Sequence, residues 1–308
     1  MGRFRVNTKR SHSPERGFTL IELIMVIVIM GVIGGMVSVF MKSPIDAYFD
    51  SARRAALTDV ADTVARRVAR DIQRALPNSI NTSGDNKCVE FIPTRTGGRY
   101  RAADVGALNY VAPGTQLANL TPGSKSFNIF GDFTATNTAL PADQQIKPLD
   151  AIVLYNLGIA GVDGLDAYSG TNTASVTAVS AATGTPPETP LTVTFPGTVN
   201  ASFPFLNTTN RLQVVPKEEN VVAYVCSNSN LYRVVGTTLA HICPAAVSST
   251  SPSVTGASVV ATNVTCSFNY SGPDLLRNAL ITTVLTLADT ASGEAVTLQH
   301  EVHVSNTP

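Results

Sequence analysis

Six consecutive residues, Gly17-Phe18-Thr19-Leu20-Ile21-Glu22, carry the groups best placed for chemistry in this chain. Glycine has no side chain, so a peptidase working at a membrane face can close on the Gly17–Phe18 bond. Cleavage there creates a new α-amino group on Phe18, with an ordinary pKa near ~8. Glu22 then becomes the fifth residue of the shortened chain, about one helical turn along, and it is the only charge between Phe18 and Met41. A carboxylate in apolar surroundings is costly without a cation. The amine of a neighbouring helix would neutralise it, which makes burial of Glu22 conditional on correct register between subunits.

The other chemistry-bearing residues do not converge. His300 and His303 are three apart, so in a strand they face opposite sides and share no metal site. His241-x-Cys243 could begin a zinc site, but a disulfide is the better use of Cys243. Asp163, Asp166 and Asn172 could bind calcium, yet the spacing of a calcium-binding loop is missing and a turn held by Asx caps is expected. No nucleophile elbow, phosphate-binding loop or dinucleotide fingerprint occurs. The expectation is a protein with no catalytic residues, no metal and no cofactor.

Cys88, Cys226, Cys243 and Cys266 form no C-x-x-C pair. An even number of spaced cysteines behind an export segment reads as two disulfides in an oxidising compartment. Three pairings are open. Cys226–Cys243 is favoured as the most local, which leaves Cys88–Cys266.

Phe18–Met41, 24 residues with Glu22 as the lone charge, would measure ~36 Å as a helix and cross a ~30 Å hydrocarbon core with some tilt. It is longer than the h-region of a secretory signal and no A-x-A site follows it. Residues 1–17 carry five basic side chains against Glu15, a net of +4, leaving 17 basic and 21 acidic residues, or −4, in the remainder. The basic leader is expected to stay cytoplasmic, with the rest of the chain across the inner membrane. The mildly acidic body has no basic stripe and no footprint for nucleic acid.

Beyond Pro44 a helical pattern resumes over 42–77, with Ile45, Phe49, Ala52, Ala56, Val60, Val64, Val68, Ile72 and Leu76 as an apolar stripe. Asp50/Arg54, Asp62/Arg66 and Arg67/Asp71 fit i,i+4 pairs, and Pro77 is expected to end the helix. Residues 78–308 read as a β-rich head. The clearest strand is Asn263–Tyr270, where Val264, Cys266, Phe268 and Tyr270 alternate with polar residues. Further strands are expected at Cys88–Ile92, Ala151–Leu157, Leu191–Phe195, Arg211–Val215, Val221–Cys226, Leu231–Val235, Leu280–Leu287 and Ala295–Val304. Ser227–Asn230 reads as a hairpin loop, and Ser169–Pro190, poor in charge, as a surface excursion. The predicted class is α+β: a long transmembrane-plus-amphipathic helix packed on an antiparallel β-rich head.

The opening hexapeptide followed by an apolar run resembles the prepilin signature of type IV pilus systems. Blocks in the head, among them KCVEFIPTRTGGRY (87–100), VLYNLG (153–158), DAYSGTNTA (166–174), FPFLNTTNRLQVV (203–215), NVTCSFNY (263–270) and LQHEVHVSNTP (298–308), resemble the MshO-type minor pilins of mannose-sensitive haemagglutinin (MSHA) pilus systems. The resemblance runs through most of the chain and is weakest over 100–150 and 175–200. It implies a type IV pilin-like fold and a low-abundance subunit cut by prepilin peptidase after Gly17, N-methylated on Phe18, and using Glu22 for assembly. The implied partners are major and minor pilins, met through the N-terminal helix, and the inner-membrane assembly platform. A minor pseudopilin of type II secretion and a membrane-anchored surface adhesin are the competing expectations.

Overall fold

The computed structural model describes residues 17–101, 125–162, 164–195, 210–247, 257–271 and 279–306. The chain divides into two compact units, Met1–Ala55 and Ala56–Pro308. Helix α1 (Leu20–Gln73) runs through Pro44 without interruption. In the first unit every residue from Gly17 to Phe49 is exposed, so the Leu, Ile, Val and Met side chains of this stretch have no core of their own. It is the one helix among the described residues long and apolar enough to cross a membrane.

In the second unit α1 buries Ala61, Val64, Ala65, Val68, Ala69 and Ile72. The expected stripe is thereby corrected, because Val60 stays half exposed. A row of every fourth residue drifts about 40° per step and winds off the contact face. Three alanines, absent from the expected stripe, take its place and let the helix backbone approach the sheets closely. The helix also stops at Gln73 rather than at Pro77. Arg74 and Ala75 N–H donate to Asp71 and Ile72 carbonyls at 3.1 and 3.0 Å in a tightened last turn, and Leu76 N–H turns to the Ile92 carbonyl at 2.7 Å.

Among the described residues the helix is followed by fourteen strands: β1 (Asn81–Thr82), β2 (Cys88–Phe91), β3 (Thr96–Arg99), β4 (Lys125–Phe130), β5 (Ala151–Val153), β6 (Thr173–Val179), β7 (Glu188–Thr194), β8 (Arg211–Val215), β9 (Val221–Ser227), β10 (Asn230–Gly236), β11 (Ser258–Thr262), β12 (Val264–Ser271), β13 (Ala279–Ala288) and β14 (Ala295–Val304). They build three antiparallel sheets in the orders β1-β2-β9-β10-β11, β12-β13-β14 and β3-β8-β5-β6-β7-β4. The fold is α+β. The buried face of α1 shares one core with Phe91, Tyr224 and Leu231 of the first sheet and Phe268, Ile281 and Leu285 of the second. The six-stranded sheet has its own core around Tyr100, Phe127, Ile152, Leu191 and Val214. Leu76, Ile92, Val153, Val215 and Val221 form a smaller cluster.

The strands with clean alternation form at or close to their expected bounds. Asn228 and Ser229, with φ of 50° and 58°, make the β9–β10 hairpin turn, the left-handed pair that a two-residue loop requires. Other expectations are corrected. Ala151–Leu157 is a strand only to Val153, since Tyr155 adopts φ 52° and breaks the extended run. The excursion expected at 169–190 contains β6 and the start of β7, with Ala174, Val176 and Thr189 fully buried. Small and β-branched residues alternate there at period two, a pattern masked by the lack of charge and large apolar side chains. Strands β1, β3, β4 and β11 carry no clear signal. In β3 the sequence Thr-Gly-Gly-Arg runs against strand propensity.

Among the surface pairs, Asp62 bonds Arg66 at 2.7 Å as expected, and Asp50 also pairs with Arg53. Asp71 turns from the helix to the sheet, accepting from Arg233 Nε at 2.9 Å and Tyr224 Oη at 2.8 Å. Arg233 in turn makes a two-pronged contact with Glu219, both arms 2.9 Å. A forked guanidinium between two carboxylates fixes the last turn of α1 on β9 and β10.

Candidate functional site

At the N-terminal site, Gly17, Phe18 and Thr19 precede the helix. The Thr19 carbonyl accepts from Glu22 N–H at 3.1 Å and Leu23 N–H at 3.2 Å, and Thr19 Oγ1 lies 3.4 Å from Glu22 N. Thr19 therefore caps α1, and Glu22 sits three positions on, in the first turn, where the positive end of the helix dipole favours a carboxylate. The sequence reading passed over Thr19, although Thr-x-x-Glu before an apolar run is the signature of such a cap. Phe18 is 78% exposed, Leu20 77% and Ile21 67%. The residues of the motif thus stand together at the start of an uncovered apolar helix.

The four cysteines form Cys88–Cys243 and Cys226–Cys266, with Cα atoms 5.7 and 6.0 Å apart. Neither bond of the favoured pairing forms, and the register of β2 and β9 explains why. Cys88 lies opposite Val225, so the next residue, Cys226, points to the other face of the sheet. Cys226 faces the core shared with α1, where Cys266 of β12 meets it. Cys88 packs with Ala223 and Val225 on the opposite face, against the segment holding Cys243.

That segment carries His241, which the sequence placed in a hypothetical zinc site. Its Nδ1 instead donates to Glu90 Oε1 at 2.6 Å. Glu90 Oε2 accepts from Ile242 N–H at 2.6 Å and Cys243 N–H at 2.7 Å, and Oε1 accepts from Asn81 Nδ2 at 3.0 Å. Burial pushes the Glu90 carboxyl up, but these donors outweigh burial and hold it below its ordinary value. The hydrogen bond to Glu90 raises His241, against the opposing effect of burial, and the charges of Glu90 and Asp166 add to the rise. The Tyr168 ring stacks on the imidazole with centroids 4.0 Å apart. Its hydroxyl donates to the Ser79 carbonyl at 2.8 Å.

His241, Tyr168, Asp166, Tyr270, Asn78 and Asn81 line a cleft of about 350 Å³. Gly158 borders it with φ 66°, and a Cβ there would collide with the Asn78 carbonyl oxygen. Asp166 is the cap foreseen for the turn, its Oδ1 accepting from Tyr168 N–H at 3.0 Å. Asp163 lies outside the described residues. Asn172 is buried, and its side-chain amide has no hydrogen-bond partner among the described residues. His300 and His303 alternate across β14, His300 on the side of buried Val302 and Val304 and His303 outward. Glu90 and Tyr168 were missed by sequence reading. The one available signal was an acidic residue inside the otherwise apolar run Cys88–Ile92.

Residues 12–38 match the family model of the prokaryotic N-terminal methylation motif. Comparison with curated proteins and with solved structures gave no match. The motif, on an apolar N-terminal helix followed by antiparallel sheets, supports a type IV pilin-like or pseudopilin-like protein. Within that class, processing by prepilin peptidase is implied by the motif and membrane anchoring is supported by the helix behind it. Proteins of this class are structural and generally not enzymes.

Proposed function

We propose that the chain is a minor pilin of an MSHA-type pilus, acting in assembly or in an initiation or tip complex. The observation that carries the reading is the position of Gly17, Phe18 and Glu22 at the capped start of an exposed apolar helix, inside the matched motif. Prepilin peptidase cuts between Gly17 and Phe18, and Phe18 is then N-methylated. The basic leader holds residues 1–17 in the cytoplasm, 18–41 cross the inner membrane, 42–77 continue the helix, and the head 78–308 lies in the periplasm before export to the cell surface. In a bundle of such helices the Phe18 amine of one subunit neutralises Glu22 of another, which sets the register. The MSHA assignment draws on the head blocks. The size of the head favours a minor subunit, since over 200 residues are bulky to repeat every few ångströms along a filament.

Mass spectrometry of the mature protein tests this directly. The expected first residue is Phe18 bearing one added methyl group, with pilins and assembly-platform proteins co-purifying. An intact leader in peptidase-competent cells, or co-purification with type II secretion components instead, overturns the proposal. Glu22→Ala is expected to insert in the membrane normally and to fail in co-assembly.

A further inference from the structure

The described part of the connection from β10 to β11 begins with a strap, residues 237–247, that has no regular secondary structure. It lies on the face of the five-stranded sheet opposite the buried face of α1, where Ile242 and Val247 pack with Cys88 and Val225. Leu239 and Ile242 also cover the cluster around Ile92 and Val153, at the junction with the six-stranded sheet. Two ties on the strap carry no titratable proton. The Thr237 carbonyl accepts from Asn220 Nδ2 at 2.7 Å, and Cys243 is joined to Cys88. Between them the strap is held by a carboxylate. His241 Nδ1 and the Ile242 and Cys243 N–H groups, at 2.6, 2.6 and 2.7 Å, converge on Glu90, which is fully buried. The other hydrogen-bond partner of Glu90 among the described residues is the neutral Asn81 amide. Of these partners His241 alone can bring a positive charge. A buried carboxylate gains most from a cation, and the stack of the ring on Tyr168 also favours the imidazolium. The His241 side chain is 48% exposed, so its proton exchanges with solvent.

We infer that residues 238–242 form a pH-sensitive clasp, closed on Glu90 and Tyr168 while His241 is protonated and opening more often, still tethered at Thr237 and Cys243, once that proton is lost. Neutral His241 keeps one N–H for Glu90, but the buried charge then has only dipoles to balance it. The closed clasp therefore binds the proton more tightly than the open one. The hydrogen bond to Glu90 raises His241 accordingly, so its contribution is fully present below 6.5 and is lost as pH rises through the higher folded value. The titratable groups facing His241 are Glu90 from β2 and Asp166 and Tyr168 from the turn, with Tyr270 of β12 on the same cleft. No lysine or arginine lines that cleft to take over its charge. Opening has two consequences. It withdraws His241 from the wall of the cleft, and it lifts Leu239 and Ile242 from the apolar junction between the two sheets. The first tie limits how far the strap can swing, and the disulfide keeps its far end on β2.

The inference stands independently of the pilus assignment and is tested on the full chain in detergent. Amide hydrogen exchange is followed by mass spectrometry from about pH 6 to about pH 9, with rates corrected for intrinsic exchange. Peptides containing Ile242 and Cys243 are expected to lose about threefold in protection as pH rises, the scale of one half-exposed ion pair. Peptides from β9 should hold theirs. The midpoint should coincide with the titration of the His241 imidazole, identified by NMR as the histidine signal missing from His241→Gln. That variant keeps an amide donor for Glu90 but has no charge. Its strap should show the protection of the alkaline wild type at every pH. Strap protection that is the same at both ends of the range overturns the clasp. So does a loss shared equally by β9, or a pH dependence that survives in His241→Gln.

Discussion

The chain before Ala55 and the chain after it spend their apolar residues in opposite ways. In the first unit Leu20, Ile27, Met30 and Phe40 are all more than half exposed, whereas in the second Phe91, Phe127, Tyr224 and Phe268 are fully buried. A helix satisfies its own backbone hydrogen bonds and persists with its side chains facing lipid or other helices. The head must neutralise the charges it buries, and it does so with ion pairs. Arg101 bonds Glu188 across the six-stranded sheet, and Arg95 lies 3.1 Å from the fully buried Asp150. The difference teaches that one helix serves two solvents: its first half is complete only in a membrane or a bundle, and its second half is complete already.

The largest effect that would sharpen this contrast is in the shared core of the head. Phe268→Ala removes a fully buried ring that packs with the α1 face and is expected to cost about 3–5 kcal/mol, read by chemical denaturation. Next comes Cys88→Ser with Cys243→Ser, which opens a link between residues 155 apart in sequence. The expected loss is about 2–5 kcal/mol, with no change in membrane insertion. Arg233→Ala should follow at about 1–3 kcal/mol, since it leaves Asp71 and Glu219 without their shared guanidinium.

A smaller effect follows from pH. His241 is raised from 6.5, so what it contributes is fully present below 6.5 and is lost as pH rises through its higher folded value. Glu90 is lowered from 4.5, so its contribution is present above 4.5 and is lost as pH falls through its lower folded value. The melting temperature of the wild-type head should be highest between these limits. In His241→Gln the decline on the alkaline side should vanish, a difference under about 1 kcal/mol because the ring is half exposed. Ile27→Ala should leave head stability unchanged and act only on association of the helices. A large loss of head stability in that variant would break the contrast.

Much of the architecture is legible in local pattern. The motif, the apolar run and the alternation of β12 and β13 each involve neighbours in sequence, and their periods read directly as cap, span and strand. Strand β6 was not legible, because its inward residues are small and a low-charge Thr-Ser-Ala run resembles a loop. Glu90 and His241 were not legible either, being 151 positions apart and joined only where one segment crosses β2.

By itself the sequence determined the processing motif, the apolar span and the α+β class, because these follow from short-range periodicity and from solvent preference. Tertiary structure alone decided which cysteines meet, which face of α1 is buried, and that Asp166, Tyr168 and His241 share a cleft. The physical reason is register. A strand's two faces are interchangeable until it pairs, and the offset between β2 and β9 sends Cys88 and Cys226 to opposite sides of one sheet.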